Sequence, residues 1–143
     1  MKSTLASAEV KFLVQATEDG ERVLKKVSEV FRIPIEKFEK STLDGHFGNP
    51  ITVFRVHLKG KNADNFASGM INLFEEDYKR TLLDEIPKSI DEHGSLYLRV
   101  DKQSIFSYRL VQSTIDAVRI KMKPRFKGPL TKMIDMFRML LTK

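Results

Sequence analysis

Four segments of the chain alternate between apolar and polar residues, which is the pattern of strands that bury one face only. They cover residues 7–16, 51–59, 96–101 and 117–123. In the first segment Val10, Phe12 and Val14 point one way, and Glu9 and Lys11 point the other way. Such strands need a sheet whose apolar face is covered by helices and whose polar face is open.

Apolar residues at helical spacing predict two helices between these strands. The first covers residues 19–31, with acidic residues at its start and Pro34 as its end. The second begins at Asn62 or Asp64, either of which can cap it, and ends before Pro87.

A short strand over residues 38–43 and a last helix within residues 126–143 complete the prediction. The fold class is therefore α+β, with one antiparallel or mixed sheet, helices on one face and the order β-α-β-β-α-β-β-α. The length of 143 residues fits a single domain, 1–143. The spacing in the last helix fits packing in the core, a contact with a partner or a second copy, or attachment to a membrane surface, with core packing favoured over each of the others.

The chain is basic, and the excess of charge lies in its last third. Lysine and arginine outnumber aspartate and glutamate by 25 to 19, a net charge of +6. Residues 96–143 contain 11 basic and 3 acidic side chains, so their own net charge is +8. This asymmetry favours a polyanionic partner, either nucleic acid or an anionic membrane surface, although a basic surface can also serve solubility alone.

The absence of cysteine excludes a disulfide framework, a thiol nucleophile and any thiolate zinc site. The sequence shows no signal peptide and no run as long as a membrane span. We therefore expect a soluble cytoplasmic protein without a metal, a cofactor or a membrane partner.

The outward residues of the four main strands place an excess of cations on the open face of the sheet. Glu9 and Asp101 are the two carboxylates among them. The basic and aromatic members are Lys11, Arg55, His57, Lys59, Tyr97, Arg99, Arg119, Lys121 and Lys123. Because neighbouring strands lie about 4.8 Å apart, these cations repel one another unless an anion lies on the face. We predict that this face binds RNA phosphates, with a dimer interface as the best alternative.

A second feature is the glycine-rich stretch Gly45-His46-Phe47-Gly48-Asn49-Pro50. Its two glycines, and an asparagine before a proline, suit a tight connection between strands with Phe47 in the core. Alternatively, exposed backbone amides and His46 can meet a phosphate. Composition favours the structural interpretation and leaves the role of His46 open.

Together with a second motif at residues 96–103, this stretch resembles a family of small archaeal proteins described as RNA-binding proteins or predicted exosome subunits. The first motif is Gly-His-aromatic-Gly-Asn-Pro-Ile, and the second is Leu-Tyr-Leu-Arg-apolar-Asp-Lys-Gln. The resemblance extends from about Val10 to Met122, which is most of the chain. The segment after Pro124 lies outside it.

The resemblance implies a fold similar to ribosomal protein L5 and a role around RNA processing or translation, with exosome or ribosome-related proteins as partners. The two motifs carry His46, Gly48, Asn49, Arg99, Asp101, Lys102 and Gln103. All of these except Asp101 are predicted RNA contacts. Since Lys102 follows the end of a strand, we expect it to reach phosphate without disturbing the core. The family has no assigned catalytic residues.

An enzyme is less favoured, because no histidine pair has metal-ligand spacing on a helix and the chain lacks a nucleophile elbow or phosphate-binding glycine loop. A metal-dependent nuclease is the least favoured alternative. A protein-interaction subunit or homodimer is the stronger one, because Met133, Met136 and Met139 make the last helix soft and apolar.

Overall fold

Five antiparallel strands form one sheet in the computed structural model, which describes residues 2–45, 48–113 and 115–142. The strands are β1 (Leu5–Val14), β2 (Glu39–Asp44), β3 (Pro50–Lys59), β4 (Leu96–Asp101) and β5 (Ala117–Pro124). Their order across the sheet is β2-β3-β1-β5-β4. The longest strands, β1 and β3, therefore pair near the middle, and every neighbouring pair is antiparallel.

Four α-helices connect or follow these strands. They are α1 (Gly20–Phe31), α2 (Lys61–Ile71), α3 (Glu76–Ser89) and α4 (Leu130–Leu141). Helix α1 begins as predicted, because the Asp19 carboxylate accepts a hydrogen bond from the backbone N–H of Arg22. Within the described ranges, no helix is both long and apolar enough to cross a membrane.

The helices pack on one face of the sheet, which confirms the predicted architecture. Inward residues of β1, such as Val10 and Phe12, share one continuous hydrophobic core with residues of all four helices. Phe12 stacks on Phe54 of β3, with ring centroids 5.3 Å apart. The alternation of buried and exposed residues along β3, β4 and β5 leaves the opposite face of the sheet to solvent.

The region predicted as one helix up to Pro87 forms two helices instead, so the observed order contains one helix more than the predicted one. The chain leaves α2 at Asn72 and buries Phe74 before α3 begins. Pro87 lies inside α3 rather than beyond it. It cannot donate to the carbonyl of Leu83, and Arg138 Nε donates to that oxygen at 3.5 Å instead.

Two further boundaries and one cap differ from the prediction. Strand β1 begins and ends two residues earlier, because the backbone turns where Glu18 N–H donates to Gln15 O at 3.0 Å. The last helix begins at Leu130 instead of residue 126. Asp64 does not cap α2; its carboxylate accepts hydrogen bonds from the backbone near Leu5 at the start of β1.

The last helix belongs to the core. Its inward side chains are 5 % exposed or less, and two of them are fully buried. These side chains are Met133, Phe137, Leu140 and Leu141. Of the arrangements that the sequence left open, the described residues therefore show core packing for this side of α4.

Candidate nucleic-acid interface

Four cations form a row straight across the open face of the sheet. The backbone pairing places Lys11 of β1 directly opposite Arg55 of β3 on one side and Arg119 of β5 on the other. Arg119 in turn lies opposite Arg99 of β4. Each of the three contacts between strands thus pairs two positive side chains, an arrangement that destabilises an isolated sheet. We call these four residues the cation row.

The next row across the sheet contains the countercharge. Glu9 of β1 lies opposite His57 of β3 and Lys121 of β5. Its carboxylate is 3.1 Å from His57 Nε2 and 3.5 Å from Arg55 Nε. The geometry to Arg55 is not that of a hydrogen bond, and this buried Nε has no hydrogen-bond partner among the described residues. Glu39 of β2, directly opposite Arg55, adds a second carboxylate at the edge of the row. The cross-strand neighbours of Lys11 and Arg119 within the row are all cations.

Tyr97 is the exposed aromatic residue of this face. Tyr97 is 44 % exposed, and Lys121 Nζ lies 5.5 Å from its ring centroid. Its hydroxyl donates to the Asp91 carboxylate at 3.0 Å, which fixes the direction of the ring. Partial burial alone would raise the pKa of Asp91, but hydrogen bonds from the Ser95 N–H and the Tyr97 hydroxyl outweigh it and lower the value. The ring is thus a fixed surface on which a base can stack.

The sequence analysis did not place Asp91 beside the open face, although a signal for its turn exists. It opens the stretch Asp-Glu-His-Gly-Ser, and its side chain accepts hydrogen bonds from the N–H groups of His93 and Ser95. An aspartate that binds the backbone two residues later is typical of a turn. The sequence pattern indicates the turn, but it does not indicate that Tyr97 uses the same carboxylate.

A groove of about 330 Å³ runs along the face between β1, β5 and β4. Its polar walls are Glu9, Lys11, Tyr97, Arg99, Arg119 and Lys121. Lys59 and Lys123 continue the positive surface, since both lie opposite Ser7 on the next row of the sheet. The structure therefore brings all nine predicted outward residues onto one face.

The motif residues of the glycine turn lie elsewhere, at the end of the sheet between β2 and β3. The turn closes through a hydrogen bond from Gly45 N–H to Asn49 O at 2.7 Å. Gly48 has a φ of 76°, the left-handed conformation that glycine favours, and Asn49 is exposed. His46 and Phe47 lie outside the described residues. The backbone thus accounts for both glycines, and the contacts of Gly48 and Asn49 with RNA stay a prediction.

The prediction that Lys102 contacts RNA is wrong, because its side chain is completely buried. Lys102 Nζ donates to the carbonyl of Leu13 at 2.9 Å and to Glu18 Oε1 at 2.8 Å, and it lies 3.1 Å from Asp116 Oδ1. Burial alone would raise the pKa of Glu18, but hydrogen bonds from Lys102 and the Gln15 N–H, together with the charge of Lys102, outweigh it and lower the value. Lys102 therefore links the end of β4 to the end of β1, to the loop after β1 and to the loop before β5.

Gln103 is exposed at the start of a short 3-10 helix, Gln103–Ser107, just beyond the open face. The preceding residue of the face, Asp101, accepts hydrogen bonds from the N–H and hydroxyl of Ser104. The second motif thus contributes Tyr97 and Arg99 to the face, while Asp101 and Lys102 shape the end of the strand.

Comparison with known proteins gives one family and several relatives. A family profile described as RNA binding matches residues 7–124. The chain is 28 % identical to the RNA-binding protein PAB1135 of Pyrococcus abyssi over 120 residues, which cover 80 % of this chain and 78 % of that protein. It is 31 % identical to the uncharacterized protein MJ0213 of Methanocaldococcus jannaschii over 112 residues, which cover 71 % and 72 % of the two chains.

The fold is also similar to that of a solved structure, Mth689, a DUF54 protein from Methanothermobacter thermautotrophicus. The TM-score is 0.76 and the identity 27 %, and the match covers 96 % of this chain and 98 % of that one. The two chains therefore share one fold over nearly their whole length.

We expect Lys102→Met to lower the free energy of unfolding by about 2–3 kcal/mol at neutral pH, because Glu18, Asp116 and a backbone carbonyl lose their shared donor. The value lies below the usual cost for fully buried pairs, since Asp116 is half exposed. The folded pKa of Glu18 is lowered, so the contribution is present above its ordinary value near 4.5 and is lost as the pH falls through the folded value. Denaturant unfolding at neutral and acidic pH measures both effects.

The matched control is Lys123→Met on the open face, which should change stability by no more than about 0.5 kcal/mol. An equal loss in both variants would contradict the structural role of Lys102.

Proposed function

The chain belongs to the RNA-binding family, and from this premise we propose that it binds RNA through the open face of its sheet. The observation that carries the proposal is the cation row, in which Lys11 faces a cation on either side. Three like-charged pairs in one row cost stability when the face is empty. A phosphate backbone lying across the row supplies the missing negative charge and gains affinity from the counterions it releases.

The shape of the face favours unpaired RNA. A sheet with exposed cations and a fixed aromatic ring can contact phosphates and stack on a base that is free of a helix. Tyr97 and Arg99 are two positions apart on β4, so their side chains point to the same face of the sheet. One nucleotide can therefore contact the ring and the guanidinium together. Phosphate contacts dominate this face, which makes its affinity general and strongly dependent on salt.

In this proposal the protein is an accessory factor of RNA processing or translation that binds RNA without cleaving it. The resemblance of the two motifs to archaeal RNA-binding proteins and predicted exosome subunits supports that role and names exosome or ribosome-related proteins as partners. The described histidines each lie beside one carboxylate, His57 beside Glu9 and His93 beside Glu92. The described part of the chain contains no group of three or more metal-ligating side chains.

A protein-interaction surface is the second candidate function, and the outer side of α4 favours it. Phe126, Leu130 and Met139 are 45 %, 41 % and 67 % exposed around this helix. Apolar side chains grouped in this way suit a partner or a second copy of the chain. The interface would lie away from the open face, so RNA and a protein can bind together.

We expect the protein to bind single-stranded RNA with an affinity that falls steeply with salt, with a log–log slope of magnitude about three or more. The double variant Lys11→Ala/Arg119→Ala removes two phosphate contacts, so the magnitude of the slope should fall by about 1.4. Fluorescence anisotropy with a labelled oligonucleotide over a salt series measures both. Intact RNA after incubation with Mg²⁺ checks that binding occurs without cleavage.

The matched control is Lys127→Ala/Lys132→Ala, which removes the same charge from exposed positions outside the open face. It should leave the slope nearly unchanged. Equal effects in both double variants would show that net charge, and not the cation row, determines binding.

Glu9 competes with RNA for the cations around it. We expect Glu9→Gln to raise RNA affinity several-fold at low salt, because Arg55 and His57 lose their anionic partner and become available to phosphate. Glu76→Gln, on the first turn of α3, makes the same change of charge at an exposed site and should have a smaller effect. A lower affinity of Glu9→Gln would instead mean that Glu9 positions Arg55 for binding.

A further inference from the structure

A cleft of about 490 Å³ lies on the helical side of the molecule, between the end of α1 and one side of α2. Its floor is apolar, since Phe31 and Phe66 are each 5 % exposed and their rings meet edge to face at 5.5 Å. Its rim is polar and exposed. The rim residues are Arg32, Lys37, Asn62 and Asn65. We call this site the helix cleft.

At two positions of the helix cleft the residue type does not suit the local backbone conformation. Gly69 lies in α2, where alanine would stabilise the helix, and a Cβ added there would meet nothing within 4 Å. Arg32 ends α1 with a φ of 56°, the left-handed position that glycine usually occupies. Local stability therefore explains neither residue. Their common effect is to leave space at one wall of the cleft and to place a cation at its rim.

The chemistry of the cleft fits a nucleobase and its phosphate. Asparagine amides form paired hydrogen bonds with base edges, and an apolar floor accepts the face of a base. The guanidinium of Arg32 and the ammonium of Lys37 can bind the phosphate of the same nucleotide. A volume of this size lies within the range of small-molecule sites.

We propose that the helix cleft binds one unpaired nucleotide of the RNA that lies on the open face. The inference rests on the proposed function. The open face contacts mainly phosphate, and the helix cleft adds a site that can recognise the RNA sequence.

The edge of β3 connects the two sites. Strand β2 pairs with β3 only as far as Arg55, and in the described ranges no other strand pairs with β3 beyond that residue on this side. Beyond Arg55 the outward residues His57 and Lys59 belong to the open face, whereas Leu58 lines the helix cleft. An RNA strand that leaves the cation row toward this edge thus passes His57 and Lys59 on its way to the cleft.

The experiment uses two variants that should fold at least as stably as the natural chain. Gly69→Leu fills the cleft and replaces a poor helix former with a good one. Arg32→Gly removes the cation and relieves the left-handed backbone. Gly69→Ala is the matched control, because it stabilises the helix but leaves most of the space. Thermal unfolding checks that no variant has a lower Tm than the natural chain.

The binding probes are single-stranded homopolymers of adenine, uracil and cytosine of equal length, measured by fluorescence anisotropy. We expect Gly69→Leu to lose at least about fivefold in affinity for the homopolymer that the natural chain prefers, since one held base contributes about 1–3 kcal/mol, and to lose the preference itself. Its salt slope should stay unchanged. Arg32→Gly should lose affinity and reduce the magnitude of the slope by about 0.7.

The outcomes separate the two proposals. If the natural chain binds RNA and Gly69→Leu binds all three homopolymers with the same affinities as the natural chain, the helix cleft holds no base. That result is expected if the cleft binds a protein instead. If no homopolymer binds at low salt, the proposed function fails and the cleft inference fails with it. An equal loss in Gly69→Ala would also overturn the inference, because the methyl group leaves the cleft open.

Discussion

The alternation of side chains along β1 is the constraint on which the rest of the structure depends. This strand pairs on both sides, with β3 and with β5, so residues 7–11 each have a neighbour on either side. Its inward residues Val10 and Phe12 are at most 1 % exposed and anchor the helices to the sheet. Its outward residue Lys11 must then lie beside the outward side chains of Arg55 on β3 and Arg119 on β5. The same two-residue period that builds the core therefore aligns the cations on the other face.

Two lysines show how differently the fold uses positive charge. Lys102 is buried with three acceptors and stabilises one end of the sheet. Lys11 is partly exposed, and its cross-strand neighbours are cations. A charge that is paired within the chain serves stability, whereas a charge that faces its own sign reduces it. The second arrangement is tolerated most easily when an external anion completes the face.

Much of the fold and of the open face could be predicted from the sequence, because strand alternation is local. The break between α2 and α3 could not be predicted, because the apolar stripe continues across residues 72–75. The position of Pro87 inside α3 could not be predicted either, because the carbonyl that it leaves free finds its donor in Arg138, far along the chain. The burial of Lys102 was missed for the same reason: its partners are a carbonyl of β1 and carboxylates from two separate loops, all distant from it in sequence. The helix cleft has no sequence signal, since Gly69 and Arg32 become unusual only when their backbone angles and surroundings are known.

The most direct measurement is the chemical reactivity of individual lysines, read by mass spectrometry with and without single-stranded RNA. We expect RNA to protect Lys11, Lys121 and Lys123 on the open face, while Lys88 on α3 reacts equally in both states. Lys102 should react in neither state, because its side chain is buried. Protection of Lys88 with the face left reactive would contradict the central claim that this protein binds RNA through the open side of its sheet.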